Sequence, residues 1–246
     1  MSVLLFFKKL LIPLVATVLL ASVVPPAAPA QHSLHIHILS GSNEYRSEAS
    51  LTSYQQYLEE HHEVTVTASW VEDRAEDLPG IEQVPEADLL LVFCRRLQLP
   101  DKQIGIIVDH WEQGQPIVAV RTASHAFDDQ TNQVFDHKVL GGDYQGHFDD
   151  RPVEVTNLEP GHPVLEGVQP FLSRKLYKAG ELANEAVVLQ SGRVQGEVPQ
   201  PVTWVHRYNG GRMFYTSLGV PSDFENPNFR RMLTNAIFWA AESTDQ

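Results

Sequence analysis

The chain contains one cysteine and few basic residues, and both shortages restrict what it can do. The single cysteine, Cys94, excludes an intramolecular disulfide framework and a cysteine-based zinc cluster. Eighteen lysines and arginines stand against 31 acidic residues, so the formal net charge of the 246 residues is −13. A polyanion such as DNA or RNA would be repelled by that average field. We therefore expect no nucleic acid among its partners.

Two common catalytic motifs are also missing. The sequence has no Gly-x-Ser-x-Gly nucleophile elbow and no Walker-type phosphate loop. What is present is an ordinary globular composition, with 43% hydrophobic and 20% charged residues. We find no internal repeat, low-complexity tract or long linker, so the length predicts one domain over residues 31–246.

The first thirty residues are typical of a targeting segment. Lys8 and Lys9 close a short basic region, residues 10–24 are almost entirely apolar, and Ala-Pro-Ala at 28–30 suits signal peptidase. We predict a signal peptide over residues 1–30 and a periplasmic or secreted protein. Its removal takes away two lysines and no acids, which leaves a net charge of about −15. The alternative is an uncleaved membrane anchor, the only membrane contact that we expect.

The first half of the mature chain alternates strands and helices. Residues 34–39, 64–70, 88–93 and 117–120 are apolar-rich strand patterns, and the third is apolar enough to be buried on both faces. Helical spacing places Leu51, Tyr54 and Leu58 on one face, and a second helix follows Pro100-Asp101. Residues 72–86 form a connection with at most a short helix. This order predicts a mainly parallel sheet with helices on both faces.

The second half is more mixed. Residues 153–156, 186–190, 202–208 and 212–216 are strand-like, and Asn-Gly-Gly at 209–211 predicts a hairpin between the last two. Residues 229–241 predict a closing amphipathic helix.

Ligands of open parallel sheets bind beyond the carboxyl ends of the strands. Three loops lie there: residues 40–43, 94–96 and 121–127. The third contains Arg121, Ser124 and His125 within five positions. One interpretation makes His125 a general base and Arg121 a partner for an anion or oxyanion. The other has Thr122 and Ser124 capping the loop while His125 donates to a backbone carbonyl, and the sequence leaves both open.

A glycine-rich segment over residues 136–148 is the most distinctive stretch. Paired glycines, Gly141 and Gly142, let a backbone turn sharply or approach a ligand closely. His137 and His147, with Asp143, suit zinc or a similar metal chemically. Their spacing matches no standard ligand motif, so a divalent metal is possible but not favoured. The alternative is a loop whose histidines bind local carbonyls.

The remaining candidates have structural interpretations. We expect His35 and His37, on one strand face, and His61 and His62, at a helix end, to be structural. The two arginines after Cys94 would lower its thiol pKa, but the apolar run before it predicts a core residue.

Several segments resemble one known family. Residues 140–148, Leu-Gly-Gly-Asp-Tyr-Gln-Gly-His-Phe, resemble the Gly-Gly-x-x-x-x-His segment of the trehalose-utilization (ThuA-like) proteins. Residues 161–168 and Leu176-Tyr177 resemble the family's His-Pro-Ile-x-x-Gly and Glu-Leu-Tyr elements. Residues 201–204, 211–219 and 235–240 resemble its closing block. The match runs in order through the mature chain.

This resemblance implies the fold of the class I glutamine amidotransferase-like superfamily. That fold is a flavodoxin-like, three-layer α/β sandwich with a mainly parallel sheet, here with a C-terminal hairpin. Amidotransferases place a cysteine in the elbow after a central strand, whereas the corresponding turn here begins at Arg121. We therefore expect no amidotransferase activity. The resemblance implies a role in the use of trehalose and related disaccharides through keto-sugar derivatives.

Three positions depart from the family's pattern. Arg121 stands where the family usually has histidine, Lys175 replaces the acid before Leu-Tyr, and Val220 replaces the histidine of a Leu-Gly-His element. His147 and His162 match the family.

Residues and resemblance together define the candidate site. We expect it to bind a small carbohydrate, with Tyr144 and Trp204 as stacking faces for a sugar ring. The candidate catalytic residues are His125, His147 and Arg121. The candidate substrate-binding residues are Ser40, Ser124, Gly141, Gly142, Asp143, Tyr144, His162, Tyr177 and Trp204.

Three functions remain open on the sequence alone, of which two concern carbohydrates and the third is a structural interaction protein in an assembly. The first is an extracytoplasmic enzyme acting on a sugar or keto-glycoside. The second is a non-catalytic carbohydrate-binding or accessory module, which the departures from the family's pattern favour. The sequence does not decide the oligomeric state.

Overall fold

A nine-stranded sheet organises the protein, whose computed structural model describes residues 33–242. The predicted signal peptide lies outside the described residues. Within 33–242 the strands are β1 Leu34–Gly41, β2 Val64–Trp70, β3 Leu89–Cys94, β4 Ile117–Val120, β5 Tyr144–His147, β6 Pro152–Asn157, β7 Phe171–Arg174, β8 Tyr177–Ala179, β9 Val187–Arg193, β10 Gln200–Tyr208 and β11 Gly211–Thr216.

The sheet order is β2-β1-β3-β4-β11-β10-β9-β6-β7, and β5 pairs with β8 in a separate two-stranded ribbon. Strands β1 to β4 and β11 are parallel to their neighbours on that side, whereas β10, β9, β6 and β7 pair in antiparallel fashion. The mainly parallel sheet is confirmed for the first half, and the antiparallel part extends further than the predicted hairpin.

Helices cover both faces of the sheet. They are α1 Ser47–His61, α2 Asp101–Glu112, α3 Asp129–Val134, which continues into a π-helical turn Phe135–Val139, and α4 Pro227–Ala241. One apolar cluster joins the sheet to α1 and α4, and the other joins it to α2 and the π turn. Strand β3 contributes side chains to both clusters. Leu91 and Phe93 belong to the first cluster, and Leu90 and Val92 belong to the second. Within the described residues no helix is long and apolar enough to span a membrane.

The predicted elements of the first half are confirmed with small differences in their bounds. Helix α1 begins at Ser47, four positions before its first buried leucine, and Ser47 is itself buried. The connection before β3 ends in a short 3-10 helix, Ile81–Glu86. Three strands were not predicted: β5, β7 and β8 have only three or four residues each, too few to show a periodic pattern. Helix α3 and its π turn were also missed.

Cys94 is a core residue, as predicted. It is fully buried, and burial raises the pKa of its thiol well above the ordinary value despite the two arginines that follow. The histidines that we expected to be structural also make structural contacts. The rings of His35 and His37 both contact the Thr67 hydroxyl, at 2.8 and 2.7 Å, and His61 bonds the carbonyl of Tyr57.

The hairpin between β10 and β11 packs directly on the end of α2. Asn209 and Gly210 form its two-residue turn, both at positive φ, and Tyr208 pairs with Gly211. Gly114, at φ 71°, lies against this turn, and a Cβ there would overlap the carbonyl oxygen of Asn209. The turn that follows α2 thus leaves no room for a side chain at Gly114.

This contact predicts opposite effects for two glycines near α2. Gly114→Ala should lower the free energy of unfolding by roughly 2 kcal/mol or more, because it adds left-handed strain and a backbone clash. Gly105→Ala, inside α2 with open space around its Cα, should raise it by about 0.5–1 kcal/mol. Urea denaturation of both variants measures the difference, and equal effects would contradict the close approach.

Two buried histidines make stability depend on pH. Burial lowers the pKa of both His37 and His110 to about 4, and the charge of His35 adds to the effect on His37. His110 is 5% exposed and contacts the Pro116 carbonyl through Nε2 at 3.2 Å. The unfolded chain binds protons at these rings from an ordinary pKa of about 6.5, whereas the folded chain does not until about 4.

We therefore expect the free energy of unfolding to decrease as pH falls from 6.5 towards 4. His110→Gln retains a hydrogen-bond donor but removes one titrating group, so its stability should change less over this range than that of the parent protein. Urea denaturation at pH 7.0, 5.5 and 4.5 provides the comparison. An unchanged pH slope in the variant would contradict the assignment.

Candidate functional site

The carboxyl ends of four parallel strands meet at one edge of the sheet, which we call the carboxyl edge. Gly41 of β1 pairs with Cys94 of β3, and Val120 of β4 pairs with Thr216 of β11. The residues that follow these four strands therefore emerge side by side. This geometry brings the three predicted loops together and adds a fourth, which begins at Ser217.

Arg121 occupies the elbow directly after β4. Its φ of 51° is left-handed, and its side chain is fully buried. The guanidinium carbon lies 4.2 Å from the ring centre of Tyr45 and 4.4 Å from that of Tyr177, so two aromatic faces enclose the cation.

The guanidinium binds main-chain carbonyls rather than facing solvent. Its terminal nitrogens donate to the carbonyl of Ser217 at 2.5 Å, to that of Lys175 at 2.8 Å and to the Tyr45 hydroxyl at 3.2 Å. Nε has no hydrogen-bond partner. The sequence-based role of Arg121 required an exposed side chain that binds an anion directly. In this structure Arg121 instead joins the segments after β4 and β11 to the β7–β8 connection and the loop after β1.

His125 lies at the same edge and is half-buried. Its ring stacks on Tyr144, with centroids 4.6 Å apart and planes 27° apart, and lies 6.1 Å from Tyr177. Its Nδ1 is 3.1 Å from the Ser124 hydroxyl, which donates to the carbonyl of Arg121. From this network we assign the proton to Nδ1, which leaves the Nε2 lone pair free to accept a proton.

The imidazole is neutral at neutral pH. Burial, together with the charges of Arg96, Arg95, Arg121 and His147, lowers the pKa of His125 to about 3. Burial disfavours the charged imidazole, and each neighbouring cation disfavours a further positive charge beside it. Three arginines and His147 therefore all influence the same imidazole.

The glycine-rich segment supplies the tyrosine that stacks on His125. Gly141, at φ 67°, lies against the His206 ring, where a Cβ would come within 2.8 Å. A Cβ on Gly142 would lie 2.6 Å from Oδ1 of Asp136. Side chains of this chain therefore lie against both glycines, for which the sequence had left open a sharp turn or a close approach to a ligand.

The β5–β8 ribbon then carries two tyrosines over the carboxyl edge, where they join Tyr45. Tyr144 pairs with Ala179, and His147 pairs with Tyr177. The rings of Tyr144 and Tyr177 are 4.8 Å apart. We call Tyr45, Tyr144 and Tyr177 the tyrosine cluster.

Asp136 belongs to this site and was missed as a functional candidate. It is 3% exposed, Oδ2 accepts from the Tyr144 amide at 3.0 Å, and Oδ1 has no hydrogen-bond partner. Burial raises the pKa of its carboxyl to about 6. One sequence signal could have identified Asp136. It is an acidic residue that lies beside Phe135 on the buried face of a helical turn, and this turn also contains Val139.

Asp136 also lines a narrow cavity of about 10 Å³ between the ribbon and the sheet, which has room for about one water molecule. It is also lined by Ser217 and by five of the predicted substrate-binding residues, namely Ser124, Asp143, Tyr144, Tyr177 and Trp204. Trp204 is 3% exposed, and its Nε1 donates to the Leu140 carbonyl at 2.8 Å. It therefore presents no exposed face to a sugar ring.

The structure does not gather the possible metal ligands. His147 is exposed and its Nδ1 contacts the Phe148 carbonyl at 2.9 Å, whereas His137 contacts the Gly142 carbonyl at 3.1 Å. Asp143 lies 3.9 Å from His137. Over residues 33–242 no three histidine, cysteine or acidic side chains form a group that could hold a metal ion.

Two further candidates lie away from the exposed part of the site. His162 caps a short 3-10 helix, accepting from the Val164 amide at 3.2 Å, and its ring packs on Trp239. Trp239 also contacts Arg212 at the start of β11, so His162 lies at the opposite edge of the sheet. Ser40 is fully buried and donates to the Ser47 hydroxyl at 2.9 Å.

Comparison with known proteins agrees with this architecture. The profile of the family described as ThuA, trehalose utilisation, matches residues 35–240. A search of curated proteins finds no match. A ThuA-like protein from Bacteroides uniformis ATCC 8492 superposes with a TM-score of 0.66 at 18% identity, over 87% of this chain and 94% of that one.

Two other structures are similar at the level of the fold. A ThuA-like protein from Parabacteroides merdae ATCC 43184 gives a TM-score of 0.66 at 15% identity, covering 85% of this chain and 90% of its own. The beta-galactosidase from Rahnella sp. R3 gives 0.56 at 13% identity, covering 83% of this chain but only 31% of its own. At these identities the likeness concerns the fold alone.

The bonds of Arg121 predict a large stability effect. Arg121→Ala should lower the free energy of unfolding by roughly 3–5 kcal/mol, because it leaves the buried Ser217 carbonyl and the partly buried Lys175 carbonyl without these donors and opens a cavity between two rings. Arg96→Ala is the matched control, with nearly the same φ (52°) but an exposed side chain, and should change it by less than about 0.5 kcal/mol. Urea denaturation measures both, and similar losses would show that backbone conformation rather than these bonds matters.

Proposed function

The chain belongs to the ThuA, or trehalose-utilisation, family, and on that premise we propose that it is an extracytoplasmic enzyme acting on a sugar or keto-glycoside. The observation that carries the proposal is His125. A neutral imidazole with a free Nε2 stacks on a tyrosine at the edge where open parallel sheets bind ligands.

His125 is the proposed general base. Ser124 orients its ring by accepting from Nδ1, so Nε2 remains free to take a proton from a sugar hydroxyl or from a carbon next to a keto group. Proton transfer by a positioned side chain contributes about 10²–10⁴-fold to a rate.

His147 is the proposed second acid–base residue. It lies on the ribbon, opposite Tyr177, with Nδ1 bonded to a carbonyl and its other nitrogen free. The half-buried ring of Tyr144 provides an apolar face for the C–H groups of a sugar. Arg121 acts here as a positioning residue, because it touches the loops and not the solvent.

The extracytoplasmic location rests on residues 1–30 alone. Their basic, apolar and small-residue order suits signal peptidase.

A second function, a carbohydrate-binding module without catalysis, is favoured by one observation. A base whose pKa is near 3 removes protons poorly at neutral pH, because proton transfer is most efficient when the pKa lies near the working pH. In that case the tyrosine cluster and His125 would bind a sugar and leave it unchanged.

Turnover of oxidised disaccharides separates the two functions. We expect the protein to convert a keto derivative of trehalose, a reaction that NMR of the sugar can follow, and we expect His125→Gln to slow this conversion at least about 100-fold.

His147→Ala should abolish turnover while the urea midpoint is unchanged, and His61→Gln, at the far end of α1, is the control. Retained turnover in His147→Ala would remove that residue from the mechanism.

Calorimetry on the same samples tests the alternative. Binding of the disaccharide without any product would establish the binding module and contradict the enzyme.

A further inference from the structure

Four cations lie at the carboxyl edge, and two of them form no ion pair with any residue of 33–242. Arg95 and Lys175 pair with Glu44 and Asp73, whereas Arg96 and Arg121 have no carboxylate within 4 Å. His125 adds no charge at neutral pH, and the buried Tyr177 remains a neutral phenol. These two unpaired cations occur in a chain whose net charge is −13.

Arg121 is the fully buried one of these two cations. Among the described residues no carboxylate lies within 4 Å of it, and its donors meet only carbonyls and one hydroxyl. Asp223 acts on it through space, but that carboxylate accepts from Ser173 and two backbone amides. The other acids of the site, Asp136 and Asp143, lie on the ribbon side and accept from the Tyr144 amide and the Gln145 side chain.

A buried cation without a counter-ion is costly, and proteins usually pair it. Carbonyl dipoles and aromatic faces offset part of that cost but add no negative charge. The charge of Arg121 acts on His125 and Tyr144, which lie at the accessible side of the site.

Arg96 is the cation available for direct contact. It is exposed, forms no ion pair with any residue of 33–242, and its charge acts on both His125 and Tyr144. Its backbone amide donates to the His125 carbonyl at 2.8 Å, which holds the two residues together. Arg95, in contrast, is engaged by Asp73 at 2.9 Å.

We propose that the ligand of this site is a sugar acid, a glycoside that carries a carboxylate, bound with its ring on Tyr144 and its carboxylate on Arg96. The inference rests on the proposed function and specifies its substrate class. A guanidinium matches a carboxylate with two parallel hydrogen bonds. The buried charge of Arg121 adds attraction without contact, since its field crosses a low-dielectric layer of tyrosine rings.

A negatively charged ligand would also make His125 a stronger base. A carboxylate beside the ring offsets the arginine charges that lower its pKa, so binding should raise that pKa towards the ordinary value. The substrate would in this way improve the base that acts on it.

Binding of three simple probes tests the charge requirement. The probes are methyl α-glucoside, methyl α-glucuronide and the uncharged amide of the glucuronide, titrated by calorimetry into the full protein. We expect the glucuronide to bind at least tenfold more tightly than either neutral probe, with a preference that shrinks as salt is raised. In NMR spectra only the glucuronide should raise the titration midpoint of His125.

Two arginine variants locate the carboxylate. Arg96→Gln should reduce glucuronide affinity about tenfold, to that of the neutral probes, and leave the glucoside unaffected. Arg207→Gln, an exposed arginine on β10 away from the carboxyl edge, is the control and should change neither.

The outcomes separate this inference from the proposed function. Equal affinity for glucoside and glucuronide, or an Arg96→Gln variant that keeps the preference, would overturn the sugar-acid inference and leave the sugar-processing function standing. Failure of all three probes to bind would also overturn it. If the protein then neither binds nor converts the keto-disaccharide, the proposed function fails as well.

Discussion

The guanidinium of Arg121 holds the carboxyl edge together. It begins in the elbow after β4, passes between the rings of Tyr45 and Tyr177, and ends on the carbonyls of Ser217 and Lys175. These contacts come from parts of the chain that are 54 to 96 positions away from Arg121. No apolar side chain could replace it, because the carbonyls it satisfies would otherwise be buried without donors.

The neutral state of His125 has its main cause in the burial of the ring. The charges of Arg96, Arg95 and Arg121 disfavour protonation in the same direction. The position of the ring depends on the opposite side of the site, where Asp136 holds the amide of Tyr144 and Tyr144 stacks on His125. The site is thus positioned by one buried cation and one buried acid, neither of which is exposed to solvent.

Much of the fold could be predicted from the sequence because its strands are long and apolar. Residues 88–93 have no polar alternation, which is the pattern of a strand covered on both faces, and β3 is covered in that way. The ribbon of β5 and β8 could not be found by such reasoning. Its strands have four and three residues, and the pairing of Tyr144 with Ala179 joins positions 35 residues apart.

The candidate site could likewise be predicted only in part from the sequence. The sequence by itself determined that Arg121 and His125 would lie at the carboxyl edge, because both follow a buried parallel strand and strand ends share one edge. Only the tertiary structure decided what they do there. Burial and the charge of a side chain's neighbours set its chemistry, and those neighbours come from distant segments. Arg121 is therefore enclosed by Tyr45 and Tyr177, and His162 lies at the far edge beside Trp239 although it matches the same family pattern.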